Sequence, residues 1–93
     1  MNSLEETGLA EKAQAEELIA ATPRMPEVEG VSVRLDEDWS GDPSLYLTFR
    51  IKADATFDEG FFLRFNEYAG EVQKRILHSG ISRFPYTRLQ EAA

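Results

Sequence analysis

The chain has 93 residues, 42% of them apolar, enough to build one modest core and no second one. It contains no Cys, which excludes disulfide frameworks, thiolate zinc sites and thiol nucleophiles, and suits a reducing compartment, so the expected location is the cytoplasm. The net charge of −7 lies in one half, since residues 1–42 carry eleven Asp/Glu against three Lys/Arg and residues 43–93 six against seven; a field of that sign repels phosphate backbones, makes nucleic acid an unfavoured partner and favours basic ones.

Met1 to Glu6 lack the basic region and apolar run of a signal peptide, and no stretch approaches the ~18 apolar residues of a membrane span, so neither export nor membrane association is expected. Ser3-Leu4-Glu5-Glu6 reads as a capping box opening a helix that runs to about Ala21, with Thr7 as a rival start. Its apolar side is thin, made of Leu9, Ala13, Leu18 and Ile19 with alanines between, so the helix can pack only lightly or serve as a partner-binding arm. Thr22-Pro23-Arg24-Met25-Pro26 ends it, because proline lacks the N–H that a helix interior needs and pushes its predecessor toward extended geometry.

From Val31 the pattern switches to period two. Val31, Val33 and Leu35 alternate with Ser32, Arg34 and Asp36, and then Leu45, Leu47, Phe49 and Ile51 alternate with Tyr46, Thr48, Arg50 and Lys52. The turn formers of Asp36–Pro43 between them make a β-hairpin with a long acidic tip. Thr56-Phe57-Asp58-Glu59 is a second capping box, after which Phe61, Phe65, Tyr68, Ala69, Val72 and Ile76 form one helical stripe. That helix should end near His78, with Gly80 in the left-handed conformation, and Ile81 to Leu89 reads as a third strand whose Pro85 suits an edge.

The expected fold is therefore one α+β domain over 1–93, an acidic helix (1–22) followed by a ββαβ core (28–90). A right-handed final crossover would place strand three parallel to strand two but beyond strand one. This gives a three-stranded, antiparallel-type mixed sheet of order 2-1-3, with two helices on one face, like half of a ferredoxin-like or KH-like fold.

The candidate sites follow from this frame. Asp36-x-Asp38-x-Ser40-Gly41 matches the first half of a calcium loop, but the position that should supply a bidentate carboxylate is Leu47, a core residue. No metal and no cofactor is expected; if calcium bound, Asp36, Asp38 and Ser40 would hold it. Trp39 on this charged loop is an interface anchor, or else a lid folded back over the hairpin. The outward hairpin residues Arg34, Tyr46, Arg50 and Lys52 combine aromatic and basic groups as single-stranded RNA binders do. Phe84 and Tyr86, flanked by Arg83 and Arg88, have interface composition on an edge strand, or else complete the core beneath the helices. His78, the only histidine, has no Ser, Cys or paired acid near it in sequence and reads as a last-turn cation. No phosphate loop, nucleophile elbow or metal-protease spacing is present, so no catalytic residue is expected.

Asp38-Trp39-Ser40-Gly41-Asp42-Pro43-Ser44-Leu45 together with Phe84-Pro85-Tyr86-Thr87-Arg88 resembles a pattern in small uncharacterised bacterial proteins, some of them in toxin–antitoxin-like or defence operons. The resemblance covers residues 30–90 and brings no catalytic residues. It implies a small acidic partner that masks a basic or nucleic-acid-facing site on a larger protein. The expected function is a non-catalytic protein-binding module, antitoxin-like or inhibitory, using Asp38, Trp39, Asp42, Phe84, Tyr86 and Arg88 against a protein with a basic surface. The alternatives are an RNA-binding module working through the hairpin face and a structural subunit of a homo-oligomer such as a homodimer.

Overall fold

In the computed structural model residues 3–92 are described, with side chains from Thr7 onward. Five elements follow in the expected order: α1 (Ser3–Ala21), β1 (Val28–Glu37), β2 (Pro43–Ile51), α2 (Glu59–Leu77) and β3 (Phe84–Glu91). The capping box at Ser3–Glu6 lies outside the residues whose side chains are described. No helix among the described residues is long and apolar enough to cross a membrane.

The sheet is mixed and its order is β1-β2-β3. The hairpin pairs antiparallel, with Val33 opposite Leu47 and Arg34 opposite Tyr46, whereas β2 and β3 run parallel as direct neighbours, with Tyr46 beside Tyr86 and Thr48 beside Arg88. The expected 2-1-3 order is thus corrected: the crossover through α2 lands β3 next to the strand it left. The reason lies in apolar content. Leu45, Leu47, Phe49 and Ile51 are all fully buried, and a strand this apolar stays dry only with a neighbour on each side. On β1, Val31 and Leu35 are merely half-buried, as suits an edge. The parallel pairing also makes the sheet less antiparallel in character than expected.

Both helices cover the same face. Phe49 of β2 meets Phe65 and Tyr68 of α2 edge-on, with ring centroids 5.5 and 5.6 Å apart, and Phe61, Val72 and Ile76 complete the stripe. The α2 N-cap is Asp58, whose carboxylate accepts from the Phe61 N–H at 2.8 Å. The helix therefore starts two residues later than a Thr56 cap would give. At its other end Gly80 takes φ +90°, as expected. β3 begins at Phe84 instead of Ile81, because Ser79 to Ser82 are tied to the helix end and to α1: the Ile81 N–H and the Ser79 hydroxyl share a bond, and the Ser82 N–H and hydroxyl donate to Glu11.

The buried side of α1 differs from the thin stripe expected. Ala15 is its fully buried residue, with Leu18 and Ile19 packed at the margin, while Leu9 is 58% exposed and Ala13 lies outside as well. Small side chains let the helix come close to the sheet, and a buried carboxylate, that of Glu11, fastens it by accepting from the Ser82 N–H and hydroxyl, with the Arg83 guanidinium 4.0 Å away.

Candidate functional site

Among the described residues no helix covers the other face of the sheet. The register fixes what it displays: Ser32, Arg34 and Asp36 from β1, Tyr46, Thr48 and Arg50 from β2, and Phe84, Tyr86, Arg88 and Gln90 from β3, while Ser44, of the same parity, is fully buried. Residues assigned by sequence to two separate surfaces, Arg34, Tyr46 and Arg50 on the hairpin and Phe84, Tyr86 and Arg88 on the last strand, therefore share one surface. Phe84 and Tyr86 do not complete the core.

At the hairpin end of this face four side chains form a continuous row across the strands. The Arg34 guanidinium lies 5.1 Å from the Tyr46 ring centroid; Tyr46 stacks on Tyr86 at 5.4 Å and 18°; and Tyr86 meets Phe84 at 4.8 Å and 58°. The rings stand against one another, so both faces of Tyr46 are covered. Such contacts contribute on the order of 0.5–1.5 kcal/mol per pair beyond area burial and hold the row in one arrangement.

The row continues into the acidic tip. The Tyr86 hydroxyl donates to Asp38 Oδ2 at 3.1 Å and the Tyr46 hydroxyl to the Glu37 carbonyl at 3.1 Å. Asp38 Oδ1 accepts from the Ser40 N–H, the Ser40 hydroxyl and the Asp42 N–H at 2.9, 2.7 and 3.0 Å. These donors, the Ser40 hydroxyl foremost, hold the Asp38 carboxyl below the usual carboxylate range against the opposing pull of burial. Burial raises the Tyr86 phenol, and its bond to Asp38 adds to the rise. Gly41 closes the turn at φ +87°, a conformation costly for a side chain.

This scaffold projects Trp39 into solvent at 94% exposure. The indole is an outward anchor and not a lid on the core. Asp42 is exposed beside it. The candidate calcium ligands are committed elsewhere: Asp38 is saturated by protein donors, and the Asp36 carboxylate accepts from Arg34 at 2.8 Å and from the Glu37 N–H. Among the described residues no cluster of three metal-ligating side chains forms.

At the opposite end of the face, the Arg50 guanidinium folds over Gly30, whose missing side chain leaves it room. Arg88 is exposed beside Thr48. Neither has an ion-pair partner among the described residues. Lys52 does not join them, because it lies past the end of β2 in a groove with Glu27, Asp58 and Arg64. His78 is the exposed C-cap of α2, away from this face.

The Tyr46–Tyr86 pairing escaped sequence reasoning because it depends on β3 lying beside β2. The available signal was that Tyr46 alternates with Leu45 and Leu47, and Tyr86 with Pro85 and Leu89, the core-facing residues of their strands. The Glu11–Ser82 tie spans 71 residues and has no local signature. No family model, curated protein or solved structure matches the chain.

Proposed function

We propose that this chain is a non-catalytic protein-binding module that docks a partner on the open face of its sheet, with Trp39 as anchor. The observation that carries this is the interlocked Arg34–Tyr46–Tyr86–Phe84 row running into a rigid tip that exposes the indole. Tyr, Trp and Arg are the residues that dominate protein interfaces, and the interlocked row, already held by its own contacts, loses little side-chain entropy on binding. The carboxylates of Asp38 and Asp42 at the tip, within a chain of net charge −7, favour a basic partner surface. An antitoxin-like or inhibitory role in the cytoplasm, masking such a surface on a larger protein, agrees with this chemistry.

Single-stranded RNA is the second reading, favoured by the unpaired Arg50 and Arg88 on the same face. Against it, base stacking needs a free ring face, and those of Tyr46 are occupied by Arg34 and Tyr86.

The test is affinity capture from the native host with the wild-type chain, Trp39→Ala and Tyr86→Ala, each first checked for folding. A stoichiometric protein retained by the wild type, and at least ~10-fold depleted with either variant, is the expected result for hot-spot truncations. Equal retention by all three chains removes this surface from the proposal. Recovery of RNA without protein, lost on neutralising Arg50 and Arg88, transfers the function to nucleic acid.

A further inference from the structure

On the helix side of the sheet, opposite the docking face, Tyr68 is buried to all but 7% of its surface, yet its hydroxyl has no hydrogen-bond partner among the described residues. The ring meets Phe49 edge-on in the core. A buried hydroxyl left unpaired is costly, and folded chains contain few of them. Two open clefts, of about 590 and 470 Å³, share Thr22, Pro23, Arg24 and Tyr68, so the phenol stands where they meet. These volumes lie in the range of small-ligand sites.

The charges on the smaller cleft decide what it accepts. Arg64 and Arg75 on its wall are already paired, with Glu27 at 2.6 Å and Glu71 at 3.0 Å. Arg24 has no ion-pair partner among the described residues and makes a single long bond, 3.4 Å, to the Glu29 carbonyl. A guanidinium so weakly held exchanges readily onto a carboxylate. Its charge reaches Tyr68: burial raises the phenol, and the Arg24 guanidinium works against that rise. Glu67, on the same wall, is exposed and also lacks an ion-pair partner among the described residues.

The cleft therefore offers a cation and a buried O–H donor to an oxyanion, a carboxylate to an ammonium, and the rings of Pro23 and Pro26 to an apolar group. An inorganic dianion is opposed by Glu67, and a simple amine leaves the phenol unpaired. We propose that this cleft binds a free α-amino acid with an apolar side chain, its carboxylate accepting from the Tyr68 hydroxyl and pairing with Arg24 while its ammonium faces Glu67. The site is separate from the docking surface and independent of the role proposed for it. A ligand this small in an open cleft binds weakly, with Kd on the order of 1 mM.

The experiment is an NMR titration of the full chain with L-leucine, leucinamide, 4-methylpentanoate and inorganic phosphate, followed at the Arg24 and Tyr68 amides. L-Leucine should bind with Kd on the order of 1 mM, and leucinamide, without the carboxylate, and 4-methylpentanoate, without the ammonium, at least ~10-fold more weakly. Tyr68→Phe, Arg24→Gln and Glu67→Gln should each weaken leucine by a similar factor. Tyr68→Phe removes an unpaired hydroxyl and nothing else, so its denaturant midpoint without ligand should equal or exceed that of the wild type. A lowered midpoint means that the fold already pairs this hydroxyl and overturns the proposal. Absence of leucine binding at about 20 mM overturns it as well, as does leucine binding that the three variants retain, or 4-methylpentanoate or phosphate binding as tightly as leucine. Trp39→Ala should bind leucine like the wild type, so that failure here and failure of the docking role remain distinguishable.

Discussion

Asp38 is the residue on which the candidate site turns. One carboxylate oxygen accepts three donors of its own loop and the other accepts the Tyr86 hydroxyl, so a single side chain joins the tip to the aromatic row. Its carboxyl is held below the unfolded value, so the stability it contributes is fully present above pH ~3.9 and is lost as pH falls through the lower folded value. Trp39 anisotropy should therefore fall in that acid limb. Asp38→Asn, which removes the charge, should produce the looser tip already at neutral pH, and unchanged anisotropy in this variant would assign the loop's rigidity to backbone bonds alone. For Tyr86 the sign is opposite: its phenol is raised, so its neutral form favours the fold and that contribution is lost only above the usual phenol range near pH ~10. Phenolate absorbance should show two of the three tyrosines titrating late, Tyr86 and the buried Tyr68, and Asp38→Asn should bring the Tyr86 midpoint alone down.

Among the elements, α2 carries the clearest code and offers substitutions of opposite sign. Gly70 is exposed in mid-helix, and a Cβ there would meet nothing within 4 Å. Gly70→Ala should therefore stabilise the chain by roughly 0.5–1 kcal/mol, the helix propensity gap between the two residues. Gly80 also has open space, but at φ +90°, so Gly80→Ala should destabilise by about 1 kcal/mol through the left-handed backbone alone. Asp58→Ala should cost about 1 kcal/mol by freeing the Phe61 N–H. Denaturant midpoints with unchanged slope would check all three, and a Gly70→Ala variant that lost stability would point to a contact on that helix face.

At the scale of the whole molecule, two attachments of unequal kind hold the layers together. The sheet and α2 share an aromatic core in which Phe49 is fully buried against Phe65 and Tyr68; Phe49→Ala should cost about 3–5 kcal/mol and, in a domain this small, unfold much of the population. The helix α1 depends instead on Ala15 and on the bonds that Ser82 donates to the Glu11 carboxylate. Glu11→Ala should therefore raise amide exchange in α1 much more than in β2, whereas uniform acceleration would make α1 part of one cooperative unit. With a net charge of −7, moderate salt should raise the melting temperature by screening self-repulsion.

The sequence by itself determined the five elements and their order, because each rests on a local period: alternation in the hairpin, a 3.6-residue stripe in α2, prolines and glycines between. It also showed which hairpin residues face away from the core, since parity within a strand is a local property. Only the tertiary structure decided which strand lies in the centre, and that choice carried the site with it: with β3 beside β2, Tyr86 stacks on Tyr46 and the acidic tip meets both. The α2 stripe is legible because large side chains bury it, while α1 was misjudged because its buried residues are an alanine and a carboxylate, whose positions no hydrophobic period encodes. Strand neighbours and side-chain contacts across 40 to 70 residues are settled by competition for burial among whole elements, and a local pattern contains no term for that competition.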